Sequence, residues 1–158
     1  MIDLPLHIDG SLPLKTVRKL ARLANVPLPP EEEGLWDLLS VPADCASLND
    51  YLRCFNLPVE LLQSAGKALA KRFQGEKVTK VLTVEASGIA MACFTALTLG
   101  VPAVYAKKFQ TGYIDPDVYT AEVHSFSLEK SYTMRVSRRY LSEDDRVLLI
   151  DDILSSGQ

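Results

Sequence analysis

Two adjacent carboxylates, Asp151 and Asp152, follow an unbroken apolar run at residues 147–150. A loop of small residues, two serines and a glycine at positions 155–157, comes shortly after them. A near-continuous aliphatic run is typical of a strand that is buried on both faces of a parallel sheet. Open α/β sheets bind their ligands beyond the carboxyl ends of the strands. The pattern therefore predicts a ligand-binding site in which two acids precede a loop of small residues.

A second loop of small residues lies at residues 85–90, between a β-branched strand at 78–84 and an apolar helix at 91–99. Small residues at such a junction let backbone N–H groups approach a phosphate at the helix N-terminus. Taken alone, this turn favours an ordinary connection. Together with the loop at 151–158, it predicts an anion site.

Lys107 and Lys108 end a second predicted strand at residues 101–106. Two lysines at the rim of an anion site could neutralise an anionic ligand. The alternative is a solvated lysine pair at a strand exit, and the sequence leaves the two interpretations open.

Residues 146–158 resemble the motif with which type I phosphoribosyltransferases hold phosphoribosyl pyrophosphate (PRPP), and residues 65–158 resemble the xanthine phosphoribosyltransferase family. The resemblance implies three groups of site residues. The catalytic carboxylates would be Asp151 and Asp152. PRPP would be bound by Ser155, Ser156, Gly157 and Gln158. Pyrophosphate would be bound by Glu85, Ala86, Ser87, Gly88, Ile89, Ala90, Lys107 and Lys108.

The same resemblance implies an activity. The enzyme would convert xanthine and PRPP to xanthosine 5′-monophosphate and pyrophosphate, a purine-salvage reaction, with Mg²⁺ bound through the PRPP oxygens. Residues 119–126 and 132–137 alternate like two strands and predict an antiparallel hairpin. In the family this region is a flap over PRPP. A cytoplasmic homodimer that binds PRPP and a purine base is expected.

The N-terminal part carries a different resemblance. Helical spacing predicts an amphipathic helix at 14–24, a short helix at 35–39 and a capped helix start at 47–52. Residues 1–63 resemble the N-terminus of adenosine deaminases. There His7 would be a vestigial zinc ligand, because Pro5 stands where the family has its first zinc-binding histidine and a catalytic zinc needs about three protein ligands.

The fold class that follows is α/β: an incomplete type I phosphoribosyltransferase parallel sheet with helices and a β-hairpin flap, behind a mainly helical N-terminal fragment. Two units are expected, at 1–63 and 65–158. The sequence ends at Gln158, so we expect the helix that completes the 5′-phosphate site to be missing. We also expect residues 147–150 to form an aliphatic edge that favours association.

Composition limits the other possibilities. The 158 residues carry a net charge of −3, which argues against a broad nucleic-acid or membrane surface. No apolar run approaches the roughly 18 residues that span a bilayer. The sequence has three cysteines, an odd number, and they are widely scattered, so we expect reduced thiols in a cytosolic protein. The alternatives left open are a zinc-dependent adenosine deaminase fragment, a non-enzymatic PRPP-binding regulator and a nonfunctional fusion.

Overall fold

The computed structural model describes residues 12–108, 115–125 and 130–151. The helices come first, with a short 3₁₀ turn at Arg53–Phe55 before α4, and the strands follow around α5. The elements in chain order are α1 (Leu14–Ala24), α2 (Glu32–Leu39), α3 (Leu48–Leu52), α4 (Asn56–Phe73), β1 (Lys80–Val84), α5 (Ile89–Leu99), β2 (Ala103–Ala106), β3 (Val118–Ser125), β4 (Lys130–Ser137) and β5 (Val147–Leu149).

The predicted N-terminal helices are confirmed. The apolar stripe of α1 buries Val17 against α2 and α4, where Leu35 and Leu61 complete a small core. The predicted cap of α3 is present, because Ser47 Oγ accepts a hydrogen bond of 3.1 Å from the Asp50 N–H. This satisfies one of the donors that a helix N-terminus leaves without an intrahelical partner.

Helix α4 runs without interruption across the predicted boundary between the two units. Its first half supplies Leu57 and Leu61 to the N-terminal core, and Leu69 near its end packs against the core beneath the sheet. Between them, Gly66 allows a close approach to α5: a Cβ at Gly66 would lie 2.6 Å from Phe94 Cβ. One helix therefore contributes to both cores, and the division into two units stays a prediction.

The sheet is parallel, with strand order β2-β1-β5. Leu82 in β1 pairs with Val104 in β2 and with Leu149 in β5. Helix α5 covers the face that carries Val81 and Ile150. The three predicted strands are confirmed, and the last strand lies beside the first.

The expectation that the final strand is buried on both faces is wrong. Ile150 is 5% exposed, but Leu149 on the opposite face is 63% exposed. The reason is that α5 packs on one face only. The hairpin of β3 and β4 joins the chain just after β2, through paired backbone hydrogen bonds between Lys107 and Arg135. Because β2 and β5 are at opposite edges of the sheet, the hairpin is attached at the edge away from Leu149.

The predicted antiparallel hairpin is confirmed in its two strands, from the pair Val118–Ser137 to the pair Ser125–Lys130. The turn at 126–129 lies outside the described residues. None of the helices in the described part of the chain has the length and apolar character that crossing a membrane requires.

Candidate functional site

Three of the predicted site segments meet at one edge of the sheet. Residues 85–88 form the turn after β1, residues 107–108 follow β2, and Asp151 follows β5 directly after Ile150. Because the three strands are parallel, their carboxyl ends lie at the same edge. This is the edge at which open α/β sheets bind ligands.

Gly88 and Asp151 approach each other so closely that the contact requires glycine. A Cβ at Gly88 would overlap Thr83 Oγ1 and would lie 2.8 Å from Asp151 Oδ1 and 3.4 Å from Asp151 Cα. The turn after β1 therefore packs directly on the first predicted catalytic carboxylate. Asp151 itself is exposed, so it remains accessible to a ligand.

The Glu85 carboxylate connects the turn to the lysine pair. Its Oε1 accepts a hydrogen bond of 2.7 Å from the backbone N–H of Lys108, and the Glu85 N–H donates to the Ala106 carbonyl at 3.0 Å. Hydrogen bonds to an ionised acceptor are about twice as strong as neutral ones. Glu85 therefore holds the exit of β2 beside the turn. The direct role in pyrophosphate binding predicted for this residue stays a prediction.

Positive charge collects at the same edge. Two backbone hydrogen bonds, of 2.9 and 3.0 Å, hold Arg135 of β4 beside Lys107, and Lys108 is the next residue. The Lys107 ammonium lies 6.0 Å from the centre of the Tyr105 ring, the outer limit for a cation–π contact. Three cationic residues are thus anchored near the turn and could meet an anionic ligand.

The turn also leads into the N-terminus of α5. Gly88 occupies the cap position, and no side chain caps the helix there. The peptide bond between Glu85 and Ala86 is cis. The first N–H groups of a helix need acceptors from outside the helix, and the helix dipole favours an anion at this end. The arrangement suits a phosphate group of a ligand.

The remaining predicted site residues cannot be placed. Asp152, the loop of Ser155, Ser156, Gly157 and Gln158, and His7 all lie outside the described residues, and their roles stay predictions. Across residues 12–108, 115–125 and 130–151, no three His, Cys, Asp or Glu side chains are grouped to hold a metal ion.

Two features of the site were missed by reasoning from the sequence. The first is the hydrogen bond between Glu85 and the Lys108 backbone, which joins positions 23 residues apart. The second is Thr83, a hydroxyl within the apolar β1 strand whose Oγ1 lies against Gly88. A signal for Thr83 was available, because a polar residue among aliphatic ones just before a small-residue turn is a departure from the pattern of a buried strand.

Comparison with curated proteins identifies relatives named xanthine phosphoribosyltransferase. The chain is 50% identical to the protein of Alkaliphilus metalliredigens over 102 residues, which is 65% of this chain and 50% of that protein. It is 50% identical to the Bifidobacterium adolescentis protein over 101 residues, covering 63% of this chain and 52% of that one. The chain spans about half the length of the curated relatives it matches. No protein-family profile matches it.

Solved structures with a similar fold are adenine phosphoribosyltransferases. The Saccharomyces cerevisiae enzyme aligns with a TM-score of 0.54 and 21% identity over 64% of this chain and 60% of that one. The enzyme of Thermoanaerobacter pseudethanolicus aligns with a TM-score of 0.53 and 24% identity over 63% and 58%. At these identities the likeness shows the fold alone.

The comparisons give no support to the adenosine deaminase resemblance of the N-terminal part. They also give no support to the alternative functions, an adenosine deaminase fragment, a PRPP-binding regulator or a nonfunctional fusion. The main resemblance is confirmed. Over about 65% of its length the chain is similar to xanthine phosphoribosyltransferases, and it has the mixed α/β fold of type I phosphoribosyltransferases.

Proposed function

We propose that this chain carries the PRPP-binding half of a purine-salvage phosphoribosyltransferase, which converts xanthine and PRPP to xanthosine 5′-monophosphate and pyrophosphate. The observation that supports this most is the contact of the turn at 85–88 with Asp151. It joins two segments that are separate in sequence, and each was predicted to bind a different part of the same substrate.

The charges of the site suit this chemistry. Departure of pyrophosphate from PRPP would leave positive charge on the ribose ring and place negative charge on the leaving group. Asp151 at the end of β5 would face the ribose hydroxyls and favour the cationic ring. The backbone N–H groups before α5, with Lys107 and Lys108, would face the leaving pyrophosphate. Fixed charges aimed at developing charge are commonly the largest contribution to catalysis.

The pyrophosphate side of the site combines two kinds of donor. Backbone N–H groups at a helix N-terminus are fixed in direction, whereas a lysine ammonium is a mobile point charge. The 2.7 Å hydrogen bond from Lys108 to Glu85 would keep the lysine pair near the turn without using the lysine side chains. The two ammonium groups would then stay beside the leaving pyrophosphate.

Mg²⁺ would enter with the substrate, because magnesium is usually bound by one or two carboxylates together with substrate phosphates and water. The exposed carboxylate of Asp151 is an oxygen donor of the required kind. The ion would offset the charge of the PRPP oxygens while this chain's residues orient the ribose and the pyrophosphate.

The hairpin of β3 and β4 would act as a flap over PRPP. Its attachment at Lys107 places the base of the hairpin beside the predicted pyrophosphate site. A segment that closes over a reactive sugar can exclude water from it. The proposed preference for xanthine rests on similarity to proteins named xanthine phosphoribosyltransferase. Activity assays should therefore compare xanthine with guanine, hypoxanthine and adenine.

A cytoplasmic homodimer is part of the proposal. Val147 and Leu149 leave an exposed apolar strip on β5, and an exposed apolar strand at a sheet edge favours association. Analytical ultracentrifugation of the chain would test this, and a monomer at all concentrations would contradict it.

Isothermal titration calorimetry of the 158-residue chain with PRPP and Mg²⁺ tests the proposal. We expect a dissociation constant on the order of micromolar, and a loss of about tenfold or more in Asp151→Asn. Asp144→Asn, at an exposed position in the turn before β5, is the matched control and should bind as the unmodified chain does. Absence of binding to the unmodified chain would refute the proposal for this chain.

A further inference from the structure

The Thr83 hydroxyl is the exception among the buried side chains of the sheet core. Thr83 is 2% exposed, and within the described part of the chain its Oγ1 has no hydrogen-bond partner. The other fully buried threonine, Thr95, donates to the Met91 carbonyl at 2.8 Å. Buried polar side-chain atoms nearly always have a partner, so an unused hydroxyl in a strand that otherwise packs well calls for a reason.

The position of the Thr83 hydroxyl suggests why it is present. A Cβ placed on Gly88 would overlap Thr83 Oγ1 and would lie 2.8 Å from Asp151 Oδ1. The Thr83 hydroxyl therefore faces the point at which the turn and the carboxylate meet. Gly88, against which the hydroxyl lies, is the N-cap residue of α5. A threonine hydroxyl can donate one hydrogen bond, and an ionised carboxylate only accepts.

We propose that Thr83 is a positioning residue for Asp151. In the ligand-bound protein its hydroxyl donates a hydrogen bond to the Asp151 carboxylate and turns the other carboxylate oxygen towards the ribose hydroxyls of PRPP. The hydroxyl can make this bond because it has no other partner among the described residues. The inference rests on the proposed function, and it assigns to β1 a residue that acts through the carboxylate on β5.

Three substitutions separate this role from a purely structural one. Thr83→Val removes the hydroxyl and keeps the branched shape. Thr83→Ser and Thr83→Ala differ from each other only by the hydroxyl, and they keep the test valid if valine strains the contact with Gly88. Thermal unfolding measures whether each variant keeps the stability of the unmodified chain. Calorimetry with PRPP, ribose 5-phosphate and pyrophosphate, each with Mg²⁺, reports the two halves of the site.

The expected result is selective. Thr83→Val should unfold at the same temperature as the unmodified chain or higher, because an unpartnered buried hydroxyl contributes no stability. Its affinity for PRPP and for ribose 5-phosphate should fall roughly tenfold, the usual effect of one lost hydrogen bond to a charged group. Its affinity for pyrophosphate should stay unchanged. Thr83→Ser should bind as the unmodified chain does, and Thr83→Ala should bind as weakly as Thr83→Val.

Two results would overturn the inference alone. PRPP binding that is equal in Thr83→Val, Thr83→Ala and the unmodified chain would show that the hydroxyl is idle. Equal losses for pyrophosphate and ribose 5-phosphate would show that it supports the turn at Gly88 and not Asp151. If the unmodified chain binds neither PRPP nor ribose 5-phosphate, the proposed function is refuted and the inference with it.

Discussion

Replacement of Gly88 by alanine tests whether the turn after β1 and the end of β5 are in contact as the structure describes. The backbone of Gly88 has φ −77° and ψ −12°, a conformation that alanine adopts without strain. Any effect on the folded state must therefore come from contacts of the added methyl group. It would overlap Thr83 Oγ1 and come within 2.8 Å of Asp151 Oδ1.

The cost can be worked from these neighbours. Thr83 is a β-branched residue in a buried strand, so its side chain has little freedom to turn aside. An extra methyl in a well-packed site costs about 1–3 kcal/mol. Alanine also restricts the unfolded chain, which returns about 0.4–1 kcal/mol. We expect a net loss of about 1–2 kcal/mol in the free energy of unfolding, which lowers the melting temperature by roughly 2–8 °C for a domain of this size.

Thermal and urea unfolding of Gly88→Ala should be compared with Gly75→Ala. A Cβ at Gly75 would have no atom within 4 Å, so this control carries the same change in the unfolded chain without the steric conflict. PRPP affinity should also fall in Gly88→Ala, because the methyl group displaces Asp151. Adding Thr83→Ala to Gly88→Ala should recover part of the lost stability, since it frees the occupied space. Equal melting temperatures for Gly88→Ala and Gly75→Ala would refute the contact.

Three further outcomes follow from other contacts. Gly66→Ala should destabilise the fold by about 1–3 kcal/mol in urea unfolding, because its Cβ would lie 3.0 Å from backbone atoms of α5, which cannot turn aside; the Gly75→Ala control applies here too. The hydrogen bond from Lys80 holds the pKa of Asp145 well below its usual range, and the Ser142 N–H lowers it further. Stabilisation by Asp145 is therefore present above pH about 4 and is lost as the pH falls below it. The gap in unfolding midpoint between the unmodified chain and Asp145→Asn should shrink over that range, and a gap that is constant with pH would contradict the assignment. Glu85→Ala should weaken pyrophosphate binding several-fold in calorimetry by releasing the β2 exit, whereas Glu85→Gln, which keeps an acceptor oxygen, should retain it.

Local patterns predicted the elements well because their causes are local. The spacing of apolar residues in α1 follows from which side chains touch the core, and the Ser47 cap depends on residues three positions apart. The β-branched residues predicted strand β1 at 78–84. The observed strand ends at the predicted residue and begins two residues later, at Lys80. The edge of the sheet at which the site lies also followed from sequence, because parallel strands put their carboxyl ends together.

What the sequence could not predict depends on distant neighbours. The aliphatic run at 147–150 reads the same whether one face or both faces of its strand are covered, so the exposure of Leu149 could not be foreseen. The bond between Glu85 and Lys108 depends on the register of β1 with β2. Register is set by the packing of the whole sheet, and no short motif reports it.

Thr83 and Gly88 are best understood together, because the two residues are in contact. A valine at position 83 would complete the aliphatic strand, and a larger residue at position 88 would suit an ordinary turn. Departures from local rules are expected where a protein gives up stability for function. Within the described residues, Thr83 has a buried hydroxyl without a partner, and the missing side chain of Gly88 lets this hydroxyl and Asp151 Oδ1 both lie close to the turn. Both features fit a carboxylate that accepts a hydrogen bond from Thr83, and the substitutions at Thr83 test that role directly.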